Sequence, residues 1–393
     1  MPRRRRAFSC SISWACIEVL HRWGEDGEGR ARPQQLVVAV AVGGPFHLPA
    51  KVTVDANGTV HLPPLAVPLS SFLSPEAKAG LIEYFRFLAT PASQVFSATP
   101  RPETIALQRK KFAEHFRPAL EREKALYRVK SSAATIAGVY ADVITPEDGI
   151  AQKNKNRVLI NLHGGGFATG ARIMGALESI PVASLGKIKV LVLDYRQGPE
   201  NKFPAASDDV VAVYRELLKN YKPKSIGIYG CSAGGFLTAE AAARIEKEKL
   251  PVPGAIGIFC ASAGGWMDGD SGYLGTALIG YEVTQPAKLR HPWVSDVEYF
   301  TDADFNDPLV APIRSAAVLT KFPPTLVITS SRDNAASSAM YTHTELVKLG
   351  VDAELHVWEG LPHAFFTFEP DFPESKDAWN VVVRFFDKHL AVQ

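Results

Sequence analysis

The stretch SIGIYGCSAGGF, residues 225–236, sets two nucleophilic side chains, Cys231 and Ser232, next to each other among glycines. SIGIY reads as a short buried strand and GGFLTAEAAARIEKEKL as a helix, so the pair sits on a sharp strand-to-helix corner. Gly230 and Gly234 lie two residues either side of Ser232. At a corner that holds its central residue in a strained turn, small residues at those places let strand and helix pack close. The hydroxyl is then left standing clear. Around Cys231 the glycines fall at minus one and plus three, which does not serve that geometry. Ser232 is the candidate nucleophile.

A serine hydroxyl is weak alone: it needs a base, and the base needs an orienting carboxylate. Amide donors must also wait where negative charge develops on the attacked carbonyl. LINLHGGGF places His163, Gly164, Gly165 and Gly166 directly after a strand. Three consecutive glycines open backbone angles closed to other residues, and Gly164 and Gly165, with the N–H of Ala233, are the expected oxyanion donors. A phosphate cradle is the competing use of such a loop. The G-x-x-x-x-G-K-[ST] pattern is absent, and no G-x-G-x-x-G with a later ribose-binding acid occurs. His163 is a tempting base, but its place before the glycines suits a ring that braces the loop.

TLVITSSRDNAA closes a strand with Asp333, and VWEGLPHAF closes the next strand region with His363. His363 would take the serine proton, and Asp333 would hold the imidazole tautomer and stabilise the imidazolium. Asp333 alone reads equally well as a helix N-cap, and His363 alone as an ordinary loop histidine. Together with Ser232 they make three chemically complementary residues at three strand ends. Asp302, Asp304 and Asp307 are rival carboxylates, but they precede the relevant strand.

The elements that would position these groups alternate from about residue 135. GVYADVIT, RVLINLH, KVLVLDY, SIGIYG, AIGIFCA, TLVITSS and AELHVWE read as strands. Between them lie ALESIPVASLG, AASDDVVAVYRELLKN, GFLTAEAAARIEKEKL and AASSAMYTHTELVKLG as helices, and AWNVVVRFFDKHL closes the chain. Nearly apolar strands separated by amphipathic helices predict an α/β architecture, a mostly parallel sheet covered on both faces. That catalytic domain spans residues 131–393, with a cap insertion at about 264–307, where strand signals are few. Residues 51–130 supply a hairpin around Asn57-Gly58 and two helices, LSPEAKAGLIEYFRFLAT and IALQRKKFAEHFRPALEREKAL, read as a helical cap. Asn57-Gly58-Thr59 also matches a glycosylation acceptor, though the turn explains it without more. Phe72, Tyr84, Phe85, Phe87, Trp266, Tyr273 and Tyr281 in the cap segments either line an apolar pocket or pack, and packing is the commoner use of such side chains.

Residues 1–50 read either as an export leader, with GRARP leading into QQLVVAVAVGGPFHLPA, or as an N-terminal extension. The compartment, cytoplasmic or exported, turns on that choice. At 393 residues, 46% hydrophobic and 21% charged, the chain has the composition of a soluble globular protein. A net charge of +2 gives no reason for a nucleic-acid partner. Without PRRRR the remainder is slightly acidic. No apolar run approaches the roughly 20 residues of a membrane span. Four cysteines, Cys10, Cys16, Cys231 and Cys260, are too few for a disulfide scaffold and lack metal-ligand spacing. Neither a cofactor nor a metal is called for.

HGGGF, DYRQGPENKFPAASDDV, GCSAGG, DPLVAP and LPHAF together resemble the hormone-sensitive-lipase group of α/β-hydrolases, above all its bacterial carboxylesterases. The likeness covers about residues 135–390. It implies the α/β-hydrolase fold with an N-terminal helical cap. It also implies a serine carboxylesterase that passes through an acyl-serine and prefers small, fairly apolar, short-chain esters. Carried onto this chain, it assigns Ser232 as nucleophile, Asp333 as acid, His363 as base, and Gly164, Gly165 and Ala233 as oxyanion donors. The resemblance also suggests a homodimer. Cys231 stands where the family often has Asp or Thr, and Arg196 and Glu200 of YRQGPE read as a structural polar network. Two other functions stay open: a non-catalytic, receptor-like binder of small molecules, which would lack the base, and an amidase or peptidase on the same scaffold.

Overall fold

The computed structural model describes residues 52–391 apart from 92, 94–99, 266–267 and 281–297, together with short strands nearer the N-terminus. Runs such as VLINL and IGIYGC carry no charge, so they are stable only where protein covers both sides. In the larger of two compact units, Leu69–Gln393, such runs form the middle of an eight-stranded sheet. Its strands are β1 (Val129–Ile136), β2 (Val139–Pro146), β3 (Val158–Leu162), β4 (Lys189–Leu193), β5 (Ile226–Cys231), β6 (Ala255–Phe259), β7 (Thr325–Ser330) and β8 (Ala353–Trp358). They lie in the order β8-β7-β6-β5-β3-β4-β2-β1. From β4 to β8 every pairing is parallel, while β1 and β2 close the other edge antiparallel.

All seven strands read from the sequence are present, and the motif-bearing ones end at one rim. The strand the sequence reading missed is β1. Its VKSSAATI is mostly exposed edge and offers no apolar run to detect.

The longer helices are α1 (Pro75–Leu88), α2 (Ile105–Leu126), α3 (Ile173–Gly186), α4 (Ala205–Leu217), α5 (Ala233–Lys247), α6 (Asp270–Leu278), α7 (Ala336–Lys348) and α8 (Pro373–His389). Alternation along the strands divides the core in two. Ile160, Ile228 and Ile258 pack with Val210 and Val213 of α4, Phe236 and Leu237 of α5 and Leu346 of α7. Leu159, Tyr229 and Phe259 pack with Ile180 and Val182 of α3 and Trp379 and Phe386 of α8. Each such side chain contributes about 1.5–3 kcal/mol when withdrawn from water.

The start of α1 is fastened to this body. The Ser74 hydroxyl oxygen caps α1 by accepting from the Ala77 N–H (3.0 Å), and Glu374 in the first turn of α8 accepts from both the Ser74 N–H (2.7 Å) and its hydroxyl (2.9 Å). Within the expected insertion, α6 docks on the start of α7, where the Ser271 hydroxyl donates to the Asn334 carbonyl and accepts from the Ser337 N–H.

The other compact unit is Met1–Pro68. In it Thr53–Val54 pairs antiparallel with Val60–His61. The intervening turn has Gly58 at a φ of 87°, and the Asn57 side-chain oxygen accepts from the Thr59 N–H. The division falls between Pro68 and Leu69, so the hairpin lies in the first unit and α1 and α2 lie in the second. The leader reading concerns residues that lie outside the described ones, short strands such as Ile17–Glu18 and Ala39–Val40 aside. Among the described residues no helix is long and apolar enough to cross a membrane.

Candidate active site

Chain direction reverses sharply between the end of β5 at Cys231 and the start of α5 at Ala233. Ser232 takes φ 58° and ψ −122°, a conformation that costs a non-glycine residue about 1–3 kcal/mol and persists only where its surroundings enforce it. The packing does so. A Cβ on Gly230 would lie 2.2 Å from the Leu162 carbonyl oxygen and one on Gly234 only 1.7 Å from it, so β3 approaches the corner as closely as glycine permits. The Ser232 N–H donates to the Phe259 carbonyl (2.8 Å), which fixes the corner to β6.

His363 follows β8 and Asp333 follows β7, and both reach this corner. The Ser232 hydroxyl lies 2.9 Å from His363 Nε2, and His363 Nδ1 lies 2.7 Å from Asp333 Oδ1. A buried carboxylate accepts, so Nδ1 carries the proton and Nε2 is left to accept from the serine. Asp333 is fully buried. Burial would raise its carboxyl, but the neighbouring His363 and hydrogen bonds from His363, the Ala335 N–H and the Thr329 hydroxyl outweigh it and hold it below the usual range. The Ala335 N–H is a turn contact to Oδ1 (2.9 Å), so Asp333 serves the start of α7 and His363 together. The rival acids Asp302 and Asp304 are engaged elsewhere, with Lys202 and Asn306 respectively, and Asp307 accepts from the Leu309 N–H.

The glycine loop differs from expectation by one residue. Gly164 was expected to donate into the site, but its N–H donates to Glu178 Oε1 (2.8 Å), inside the protein. That expectation is corrected: this hydrogen is already committed. Gly165, Gly166 and Ala233 have amides with no hydrogen-bond partner among the described residues. His163 is a brace. Its ring is buried, stacks on Tyr195 at 4.4 Å and puts Nδ1 2.8 Å from the Gly164 carbonyl, while the Tyr195 hydroxyl donates to the His163 carbonyl (2.7 Å). Burial drives that imidazole down to about 4, so it stays neutral.

Glu178 was missed from the sequence. Its α3 neighbours are apolar, and a single acid in a helix ordinarily marks the solvent face. The available signal was the apolar surroundings on every side of α3, which leave no solvent face for it.

Arg196 and Glu200 are structural, in two separate networks. Arg196 pairs with Asp209 (2.7 Å). Glu200 receives both terminal nitrogens of Arg109 from α2 (2.6 and 2.8 Å), and the same guanidinium donates to the Ala168 and Gly198 carbonyls. Helix α2 is thereby tied to the loop that carries the glycines. Of the cap aromatics, Phe85 packs against the core, Phe87 lies against His115, Tyr273 is half-buried and Phe72 is exposed. Trp266 and Tyr281 lie outside the described residues.

Cys231 and Cys260 are buried free thiols. Burial raises both, and the Cys231 thiol faces Cys260 and Thr367 instead of the open side. Cys260, Asp333 and His363 bring ligand-type atoms within 4.8 Å of one another. These atoms are already satisfied, since the Cys260 sulfur accepts from the Ala364 N–H and the other two bond each other.

A family profile described as alpha/beta hydrolase fold matches residues 159–367. An acetyl-hydrolase of Streptomyces hygroscopicus is 29% identical over 235 residues, covering 59% of this chain and 76% of that protein. The crystal structure of an esterase named E25 superposes with a TM-score of 0.71 at 28% identity, over 84% of this chain and 99% of that one. A crystal structure titled as an esterase from the bacterial hormone-sensitive lipase family gives a TM-score of 0.65 at 27% identity, over 81% of this chain and 99% of that one.

Proposed function

From the premise that this chain belongs to the alpha/beta-hydrolase family, as an esterase of its hormone-sensitive-lipase group, we propose a mechanism and a substrate class. It is a carboxylic ester hydrolase. In the proposed mechanism the Ser232 hydroxyl gives its proton to His363 Nε2 as its oxygen attacks the ester carbonyl. The amides of Gly165, Gly166 and Ala233 donate to the oxyanion that forms. His363 then protonates the departing alcohol, leaving an acyl-serine. A water gives a proton to His363 as its oxygen attacks the acyl carbon, and His363 returns that proton to Ser232 Oγ as the acyl–oxygen bond breaks and the carboxylic acid leaves. Asp333 keeps the Nδ1 proton in place and stabilises the imidazolium in both steps.

The observation that carries this reading is the unbroken relay Ser232 Oγ to His363 Nε2 to Asp333 Oδ1, at 2.9 and 2.7 Å. A receptor-like binder would have no use for it. A short acyl group is supported by the motif resemblance and by the acetyl-hydrolase among the relatives. The test is hydrolysis of p-nitrophenyl acetate, butyrate, octanoate and palmitate by the native enzyme and by Ser232→Ala, with phosphonate labelling located by mass spectrometry. Preference for acetate and butyrate, loss of turnover in a folded Ser232→Ala, and label on Ser232 are expected. A folded, native sample inert to all four esters, or a label on another residue, refutes the reading.

A further inference from the structure

Glu178 is 1% exposed, and no cation pairs with it among the described residues. Burial pushes its carboxyl up to about 8, against the pull of its hydrogen bonds. Such a group is costly to keep ionised. Its partners show what it does there. Oε1 accepts from the Gly164 N–H (2.8 Å), while Oε2 accepts from Asn161 Nδ2 (2.9 Å) and from the Cys231 N–H (3.3 Å). Gly164 is the first residue of the glycine loop, Cys231 the residue before the nucleophile, and Asn161 a residue of β3 paired with Tyr229 of β5. Every partner is an N–H donor, so only an acceptor on both oxygens satisfies all three. The two backbone amides are also the ones that fix how the loop faces the corner. With the Gly164 hydrogen held inward by Glu178, the Gly165 and Gly166 amides, which have no partner among the described residues, remain free to donate.

We propose that Glu178 is a positioning residue for ester hydrolysis. By holding the Gly164 and Cys231 amides on one carboxylate, it sets the glycine loop in register with Ser232 and so places the oxyanion donors. This rests on Ser232 being the nucleophile. Glu178→Gln is nearly the same size but must turn its NH₂ toward one of those N–H groups, so one side of the clamp opens. Glu178→Asp keeps the carboxyl group and shortens the reach by one methylene, so it cannot span both amides.

The experiment measures p-nitrophenyl butyrate turnover for each variant per serine titrated by a phosphonate, alongside thermal melting. Losing an oxyanion donor costs about 10²–10³ in rate; a displaced donor retains part of that. The expected result is a folded Glu178→Gln with kcat per labelled serine lowered about 10- to 100-fold. Its KM changes little, and labelling of Ser232 is slowed but reaches full stoichiometry. Glu178→Asp should show the same split if Glu178→Gln fails to fold. Per-site kcat close to native in a folded variant overturns the proposal. So does a loss that appears only as fewer titratable serines, or failure of both variants to fold, because each marks a purely architectural carboxylate. A native enzyme whose label sits elsewhere than Ser232 would instead sink the underlying assignment.

Discussion

Replacing Asp333 with Asn separates the charge of the relay from its geometry. In the native arrangement Asp333 Oδ1 accepts from His363 and from the Ala335 N–H, while Oδ2 accepts from the Thr329 hydroxyl at 2.9 Å. An asparagine with its carbonyl at the first position and its NH₂ at the second keeps every contact, because the Thr329 hydroxyl can turn round and accept. The His363 tautomer is then preserved. What disappears is the negative charge that stabilises the imidazolium once the serine proton has moved. With charge centres about 4 Å apart and an effective dielectric of about 20, that attraction amounts to about 4 kcal/mol. This corresponds to roughly 10³ in rate. Asp333→Asn should therefore lower kcat for p-nitrophenyl butyrate about 1,000-fold with KM little changed and the fold intact. Asp333→Ala should additionally destabilise the protein by stranding three donors. Steady-state kinetics with active-site titration and a melting curve make the comparison. A folded Asn variant within about tenfold of the native kcat would refute the electrostatic role given to Asp333.

Acid should destabilise the enzyme partly through His163. Its folded value of about 4 lies below the free value of 6.5, so stability present above pH 6.5 is lost as pH falls through 4, by about 3 kcal/mol. Melting curves of His163→Gln should lack that part of the decline; parallel pH curves for the two proteins would contradict it. Iodoacetamide should leave Cys231 and Cys260 unmodified in the native enzyme and alkylate both after unfolding, because burial keeps their thiols raised and covered. Peptide mapping reads this directly, and native labelling of Cys231 would show that the corner opens.

The positions of Ser232, Asp333 and His363 were legible because each ends an apolar run. A parallel sheet delivers such ends to one rim. The choice of Ser232 over Cys231 rests on glycine spacing, which reports how close strand and helix must come, and a Cβ on Gly234 would lie 1.7 Å from the Leu162 carbonyl oxygen. The partner of the Gly164 amide was not legible. It is a carboxylate on another helix, and nothing local to HGGG encodes it. Similarly, β1 is held by its ladder to β2 and not by side-chain burial, so its polar sequence carries no strand signal. The partner of Glu200 was equally hidden, since Arg109 lies 91 residues away in the chain.

That last contact bears on protein engineering. A shortened enzyme that begins after α2 would leave the carbonyls of Ala168 and Gly198 and the carboxylate of Glu200 without the guanidinium that now serves all three. The second helix is thus a buttress of the catalytic wall. Trimming the N-terminus for crystallisation or display should stop short of Ile105, and libraries that vary the entrance should leave Arg109 untouched.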